Sequence, residues 1–270
     1  MKIWKNGAVV PADAAVDAFD RGVMLGDGLF ETMAFRDGTP LRLNRHLARL
    51  GRGLDVLGII ADINVAEVQR GAAALSDATD VNEGALRLTV LRGVGARGVL
   101  PVAMSAPTIL MSLTSMTLCD TTPLNVIIAR STRRNDQSPM SAIKSTNYGD
   151  AILARMEADD AGADDAVLLN TRGTVAEATA ANVFCVIDGQ LVTPPLSDGA
   201  LPGVMRDIVL EQESGTETTI TEVDLIQAEE VFLTSSISIR PVISINKTQV
   251  GDGQPGPIAR RLATLPGTAI

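Results

Sequence analysis

One histidine, two cysteines, four lysines and very few aromatic side chains are spread over 270 residues, and each scarcity excludes something. With His46 as the sole histidine, a histidine-rich metal site is impossible and a Ser-His-Asp hydrolase is disfavoured. Cys119 and Cys185 are too few and too far apart for a disulfide framework, so each is expected to be a buried small hydrophobe. Aromatics make up 3% against 46% hydrophobic residues, so the core must be built from Ala, Val, Leu, Ile and Met. No apolar run approaches the roughly 18–20 residues that a membrane helix needs. The segment Met1 to Gly7 lacks the apolar core of a secretory signal, and a cytoplasmic protein is expected. A formal charge of −9 argues against nucleic acid or an anionic membrane as partner. It leaves room for a small anionic ligand in a pocket where arginines gather. Neither a Cys-x-x-Cys pair nor a Walker loop is present.

The length suits two modest domains. In the first third, Asn6-Gly7 and Asp37-Gly38 are hairpin turn signals, the latter between strands Leu29 to Arg36 and Pro40 to Leu43. Asn44 reads as the N-cap of a helix carrying Leu47, Leu50 and Leu54 on one face, and a second helix follows Asn64 to about Ser76. Strands are expected at Leu86 to Leu91 and Thr108 to Leu113. Thr114 to Pro123 is polar and ends in proline, as an interdomain connection would. Beyond it come a strand at Leu124 to Ala129 and a helix at Asn147 to Ala161 with Ile152, Leu153 and Met156 inward. Short strands follow at Ala166–Leu169, Thr174–Ala176, Val183–Ile187 and Leu191–Thr193, then a helix from Val204 to about Gln212. Strands at Thr218–Val223, Glu230–Leu233 and Pro241–Ile245 close the chain.

What is there centres on Lys144. Nineteen arginines stand against four lysines, and the other three, Lys2, Lys5 and Lys247, lie near the ends. Arginine stays protonated, whereas a desolvated or cation-crowded lysine can lose its proton and form a Schiff base with an aldehyde. The plainer alternative is a surface lysine capping a turn. Glu177 sits in a small, apolar stretch, where burying a carboxylate is costly unless a cation meets it. The pyridinium nitrogen of pyridoxal phosphate is such a cation; the alternative is a solvent-facing Glu on an edge strand. The backbone N–H groups of Val204 and Met205, at a helix start after Gly203, suit a phosphate. Arg49 can add bidentate charge, and Thr234-Ser235-Ser236 can add hydroxyls and backbone donors. His46, one helical turn from Arg49, braces that arginine or fills a gap.

The chain resembles the fold-type IV pyridoxal-phosphate enzymes, the class IV aminotransferase family. The resemblance rests on Asp20-Arg21-Gly22, Gly26 to Glu31, His46 to Leu50, Arg92 to Gly98, Lys144 to Tyr148, Glu177 to Phe184 and Leu201 to Asp207. It implies an α/β architecture with a small N-terminal α+β domain (1–120) and a larger, β-rich C-terminal domain (121–270), with the cofactor at their interface. Lys144 resembles the family's internal-aldimine lysine, both covalent anchor and general base, Glu177 its pyridine-nitrogen ligand, and Arg49 its phosphate arginine. Val204 and Met205 match the backbone phosphate donors, Ser236 and Ile237 the second phosphate turn, and Tyr148 and Asn182 flank the ring. Phe30 and Arg97 fall at substrate-facing positions. The resemblance further implies a homodimer in which a partner loop completes each site.

Within the family, Arg92-Gly93-Val94-Gly95 looks like the branched-chain enzymes, while Ala96-Arg97-Gly98 and Ala180 to Phe184 look like aminodeoxychorismate lyases. The favoured expectation is an aminotransferase acting on a branched-chain or D-amino acid with a 2-oxo acid acceptor. The lyase, which releases pyruvate and 4-aminobenzoate, is the alternative. A non-catalytic binding protein on the same fold is the third possibility, and the joint presence of Lys144, Glu177 and Arg49 speaks against it.

Overall fold

The computed structural model describes residues 1–101 and 106–267. The chain divides into two compact units. One comprises Met1–Leu118, Ile143–Asn147 and Gly267; the other comprises Cys119–Ala142 and Tyr148–Pro266. Lys144 is therefore counted with the first unit, although most of the chain around it in sequence belongs to the second.

In the first unit, β1 (Lys2–Lys5) and β2 (Ala8–Pro11) form a hairpin. Its Asn6-Gly7 turn has positive φ at both residues, 44° and 101°. Asp20 caps the short helix α1 (Arg21–Leu25) by accepting from the Gly22 N–H at 2.8 Å. Next come β3 (Gly28–Arg36), β4 (Thr39–Pro40), helices α2 (Leu43–Leu57) and α3 (Val65–Thr79), and strands β5 (Glu83–Leu91) and β6 (Thr108–Ser115). Among the described residues these strands form one antiparallel sheet in the order β2-β1-β6-β5-β3-β4.

The cap of α2 is Arg42, in the left-handed region at φ 55°, and not Asn44, which is exposed inside the first turn. The buried stripe of α2 runs through Leu43, His46, Arg49, Leu50, Gly53 and Leu54, so two polar residues share the core face with the leucines. Asn64 caps α3 as expected, accepting from the Glu67 N–H at 3.0 Å. Gly93-Val94-Gly95-Ala96-Arg97-Gly98 has the glycine spacing of a dinucleotide fingerprint directly after β5, but it leads into an exposed loop instead of a helix.

The second unit holds β7 (Leu124–Ile128), helix α4 (Gly149–Asp160), β8 (Asp165–Leu169), β9 (Val175–Ala178), β10 (Asn182–Ile187) and β11 (Gln190–Thr193). Helix α5 (Val204–Glu213), β12 (Thr216–Glu217), helix α6 (Glu222–Gln227), β13 (Glu230–Thr234), β14 (Ile239–Ile245), β15 (Thr248–Gln249) and helix α7 (Pro257–Leu262) complete it. The strands order as β12-β11-β10-β13-β14-β7-β8-β9, with β15 on β14, in a mixed sheet. Alternating residues of β10 face opposite ways. Val183 and Cys185 join the cluster with Ile220 and Leu225, whereas Phe184 stacks on Phe232 at 5.3 Å and joins the α5 and α7 side.

Three expectations fail here. Ile152, Leu153 and Met156 of α4 are exposed, because the face of α4 turned to the core is the small one, Ala154 and Ala158 against Ala129, Ala166 and Leu168. The expected strand at 218–223 is a helix start. Thr221 and Asp224 exchange side-chain to backbone bonds in a capping box, and α6 follows. Cys185 is fully buried, with its thiol pushed up to about 12 by burial, but Cys119 is only half-buried.

Candidate active site

Residues 144–146 lie as a short antiparallel segment on the start of β3. The Phe30 N–H donates to the Lys144 carbonyl at 2.9 Å, the Thr146 N–H donates to the Gly28 carbonyl at 3.0 Å, and Leu29 bridges Ser145. Thr146 Oγ1 and Asn147 Nδ2 both donate to the Gly26 carbonyl, at 2.8 and 3.0 Å. Gly26 is left-handed at φ 65°, and a Cβ there would come within 2.5 Å of Asn147 Oδ1. Glycine is therefore favoured there on both counts. The Gly26-Asp27-Gly28 and Lys144 to Asn147 motifs are two sides of one main-chain clamp on the lysine.

Phe30 and Glu31 point to opposite faces of β3. The Phe30 ring lies under two cations: Lys144 Nζ is 4.6 Å and Arg87 Cζ 3.6 Å from its centroid. Arg87 reaches it from β5, two residues along from Thr89, the register partner of Phe30. On the other face Glu31, fully buried, meets α2. Its Oε1 accepts from Arg49 Nε at 2.8 Å, while Oε2 accepts from Arg49 Nη2 at 2.5 Å and from His46 Nδ1 at 2.7 Å. Burial alone would raise the Glu31 carboxyl, but the hydrogen bonds and charges of Arg49 and His46 outweigh it and hold the group below its ordinary value. His46 is pushed down chiefly by burial, with the charges of Arg49 and Lys144 acting the same way against the pull of Glu31. Neutral His46 thus donates from Nδ1. One edge of the Arg49 fork is committed to Glu31.

Arg97 is exposed in the loop after β5. That loop is held from beneath by Arg21, which donates to the carbonyls of Gly98 and Val99, both at 2.7 Å. Arg21 and Arg92 converge on Asp27 Oδ2 at 2.9 and 2.7 Å, and Arg92 also donates to the carbonyls of Leu57 and Gly58 at the end of α2. Burial would raise the Asp27 carboxyl; the hydrogen bonds and charges of the two arginines bring it below its usual value.

In the second unit, Glu177 stands on edge strand β9, yet its side chain is only 12% exposed and both oxygens are engaged. Oε1 lies 2.9 Å from Arg134 Nε, and Oε2 accepts from the Leu201 N–H at 2.9 Å. Asn182 Nδ2 donates to the Leu201 carbonyl at 2.9 Å, so Glu177 and Asn182 grip one residue from both ends. From Leu201 the chain passes through Pro202 and Gly203 into α5. A Cβ on Gly203 would fall 1.9 Å from Asn182 Oδ1. No side chain caps α5, and the N–H groups of its first turn begin at the buried residues Val204 and Met205.

Thr234 faces Asn182 across the β10–β13 ladder, with its hydroxyl buried and without a hydrogen-bond partner. The turn after it carries Ser236 and Ile237. Ser235 Oγ accepts from the N–H groups of Ile237 and Ser238 at 3.3 and 3.1 Å, which tightens the turn. Tyr148 stands at the N-cap of α4, half-buried. The donor chemistry fits pyridoxal phosphate: an amine for its aldehyde, a held carboxylate for its ring nitrogen, and an uncapped helix start with an orphaned hydroxyl for its phosphate. Among the described residues no cluster of His, Cys, Asp and Glu could hold a metal ion, and no helix is long and apolar enough to cross a membrane.

Residues 28–245 match the family described as amino-transferase class IV. The chain belongs to that family. Class IV aminotransferases are pyridoxal-phosphate enzymes. A Methanocaldococcus jannaschii protein named as a branched-chain-amino-acid aminotransferase is 33% identical over 97% of this chain and 94% of its own length. A D-alanine aminotransferase of Bacillus licheniformis is 30% identical over 98% and 95%. Among solved structures, a T.th. branched-chain amino acid aminotransferase in complex with N-(5′-phosphopyridoxyl)-L-glutamate superposes with a TM-score of 0.88 at 26% identity, covering 98% of this chain and 92% of that one. A Legionella pneumophila protein named as a 4-amino-4-deoxychorismate lyase gives 0.87 at 28%, covering 97% and 96%. The class IV aminotransferase architecture is thus that of fold type IV.

The sequence reading missed Arg134, Arg87 and Glu31. For Glu31 the signal existed: it is a lone carboxylate in the apolar run Leu29 to Phe35, the same argument that singled out Glu177. For Arg134 no spacing separates it from Arg133, and for Arg87 only the strand register shows which ring it covers.

Proposed function

We propose that this class IV enzyme is a pyridoxal-phosphate-dependent aminotransferase that moves an amino group between a branched-chain or D-amino acid and a 2-oxo acid. The observation that carries the reading is the main-chain clamp that holds Lys144 beside Phe30 and Arg87. When bound, the cofactor's ring supplies the electron sink for the pair released as the substrate's Cα–H bond breaks. Lys144 Nζ would hold the cofactor's aldehyde and would move the proton released at the substrate's Cα. Glu177 would meet the ring nitrogen, with Tyr148 and Asn182 beside the ring. Arg49, the N–H groups of Val204 and Met205, and the turn at Ser236 and Ile237 would hold the phosphate. Phe30 forms a wall of the substrate pocket. Arg97 falls at a substrate-facing position by resemblance, but Arg87 is the better-supported partner for the substrate carboxylate because it shares the Phe30 ring with the reactive amine. A cytoplasmic homodimer goes with this reading, supported by the exposed apolar side chains Phe19, Val23, Met24 and Leu25.

The similarity to the Legionella protein favours one second reading, aminodeoxychorismate lyase. Purified protein mixed with an amino donor and no 2-oxo acid separates the two. The aminotransferase bleaches its bound-cofactor absorbance and retains pyridoxamine phosphate. Retention of the original absorbance across L-Leu, L-Glu, D-Ala and D-Glu, with pyruvate released from aminodeoxychorismate, would establish the lyase.

A further inference from the structure

Glu177 is held by a residue that the family match assigns no part. Arg134 lies at the end of the segment after β7, where its N–H donates to the Leu169 carbonyl at 2.9 Å and it bridges Asn170. Its guanidinium has three partners: Glu177 Oε1 2.9 Å from Nε, the Gly199 carbonyl 3.0 Å from the same nitrogen, and the Ser141 carbonyl 2.9 Å from Nη2. Two of these are uncharged main-chain acceptors, so Glu177 is the anion that the arginine neutralises. The nearby carboxylates Asp136 and Asp198 are paired with Arg172 instead, Asp136 at 3.1 Å.

We propose that Arg134 is a positioning residue that keeps the proton shared between Glu177 and the cofactor's ring nitrogen on the nitrogen. This rests on the reading of Glu177 as the ring-nitrogen partner. A proton between a carboxylate and a pyridine has two resting places, a neutral pair or an ion pair. Moving it to the nitrogen leaves negative charge on Glu177 and positive charge on the ring. A fixed cation in contact with the carboxylate lies at the negative end of that pair, so it favours the ion pair. The Leu201 N–H on Oε2 acts in the same direction, since it too stabilises the ionised carboxylate. Arginine suits the task because it remains charged and its planar fork reaches several acceptors at once. The ring's capacity as electron sink depends on that proton.

The test is the 15N chemical shift of the ring nitrogen in holoenzyme reconstituted with 15N-labelled pyridoxal phosphate, followed against pH. Wild type should show a protonated ring nitrogen, and Glu177→Gln should lose that signal. At neutral pH Arg134→Gln should move the 15N signal at least halfway from the wild-type value toward that of Glu177→Gln, as the proton passes from the nitrogen to Glu177, and Arg134→Lys should restore part but not all of that displacement. An Arg134→Gln signal equal to wild type, with Glu177→Gln still shifted, overturns the proposal and leaves the reading of Glu177 standing. No shift in Glu177→Gln overturns both. If Arg134→Gln does not fold, Arg134→Lys decides alone. Its ammonium cannot hold all three partners, so a partial displacement of its signal supports the proposal and an unchanged signal overturns it.

Discussion

The main chains of Phe30 and Lys144 are hydrogen-bonded, N–H to carbonyl, at 2.9 Å. The amine that is to carry the chemistry therefore hangs from a backbone fixed by the sheet. Lys144→Ala should fold normally, with an unchanged far-ultraviolet circular dichroism spectrum, yet have no transaminase activity and no cofactor that borohydride reduction fixes covalently to the chain. Covalent fixation of the cofactor to Lys144→Ala would disprove the assignment of the lysine.

Glu31 links His46 to Arg49 inside the first unit, and removing its charge takes the carboxylate from Nε and Nη2 of a buried arginine. Glu31→Gln should cost about 3–5 kcal/mol in urea unfolding, as expected for one partner deleted from a buried ion pair. A loss below about 1 kcal/mol, the scale of a surface pair, would contradict this account.

The same cluster predicts the acid limb of stability. Glu31 is held below 4.5, so its contribution is complete above that pH and lost as pH falls through the folded value. His46 is held below 6.5, so the unfolded chain takes up protons first and stability declines as pH drops from 6.5 toward the folded value. His46→Gln should flatten the melting temperature between pH 6.5 and 4.5 relative to wild type. Parallel curves for the two proteins would show that His46 does not contribute.

Arg87 and Arg97 make opposite predictions for the substrate. Arg87→Gln should raise KM for 2-oxoglutarate about tenfold or more, the scale of one lost charged hydrogen bond. Arg97→Gln, in its exposed loop, should change it about threefold at most. Steady-state kinetics of the two variants decide, and the reverse order would return the carboxylate to Arg97.

Gly203 has φ −74°, which alanine adopts freely, so the cost of Gly203→Ala is steric alone. The added methyl meets Asn182 Oδ1, and a loss of about 1–3 kcal/mol is expected together with weaker cofactor retention. Asn182→Ala in the same chain should recover part of that stability. Strict additivity of the two losses would mean that the clash is not felt.

The hairpins, most of the strands and the helix starts at Asn64 and Val204 were legible because local chemistry decides them: positive-φ dipeptides, a capping side chain, proline and glycine before a helix. The inward face of α4 was misjudged because burial there goes to the residues small enough to pack closely on β8, and hydrophobicity alone pointed to Ile152 and Met156. The helix at 222–227 hid behind β-branched residues, and its capping box outweighed their strand preference. Of the candidate site, the residues carried by motifs were readable. Those defined by register or by a backbone carbonyl, such as Arg87 and Arg134, were not, since neither relation leaves a mark in linear spacing.

The loop bearing Arg97 hangs from Arg21 by the carbonyl oxygens of Gly98 and Val99. Every amino acid offers that oxygen, so side chains there can be exchanged while the tether holds. A lineage could therefore vary this loop without rebuilding its attachment, and substitution libraries have a natural starting point between Ala96 and Leu100.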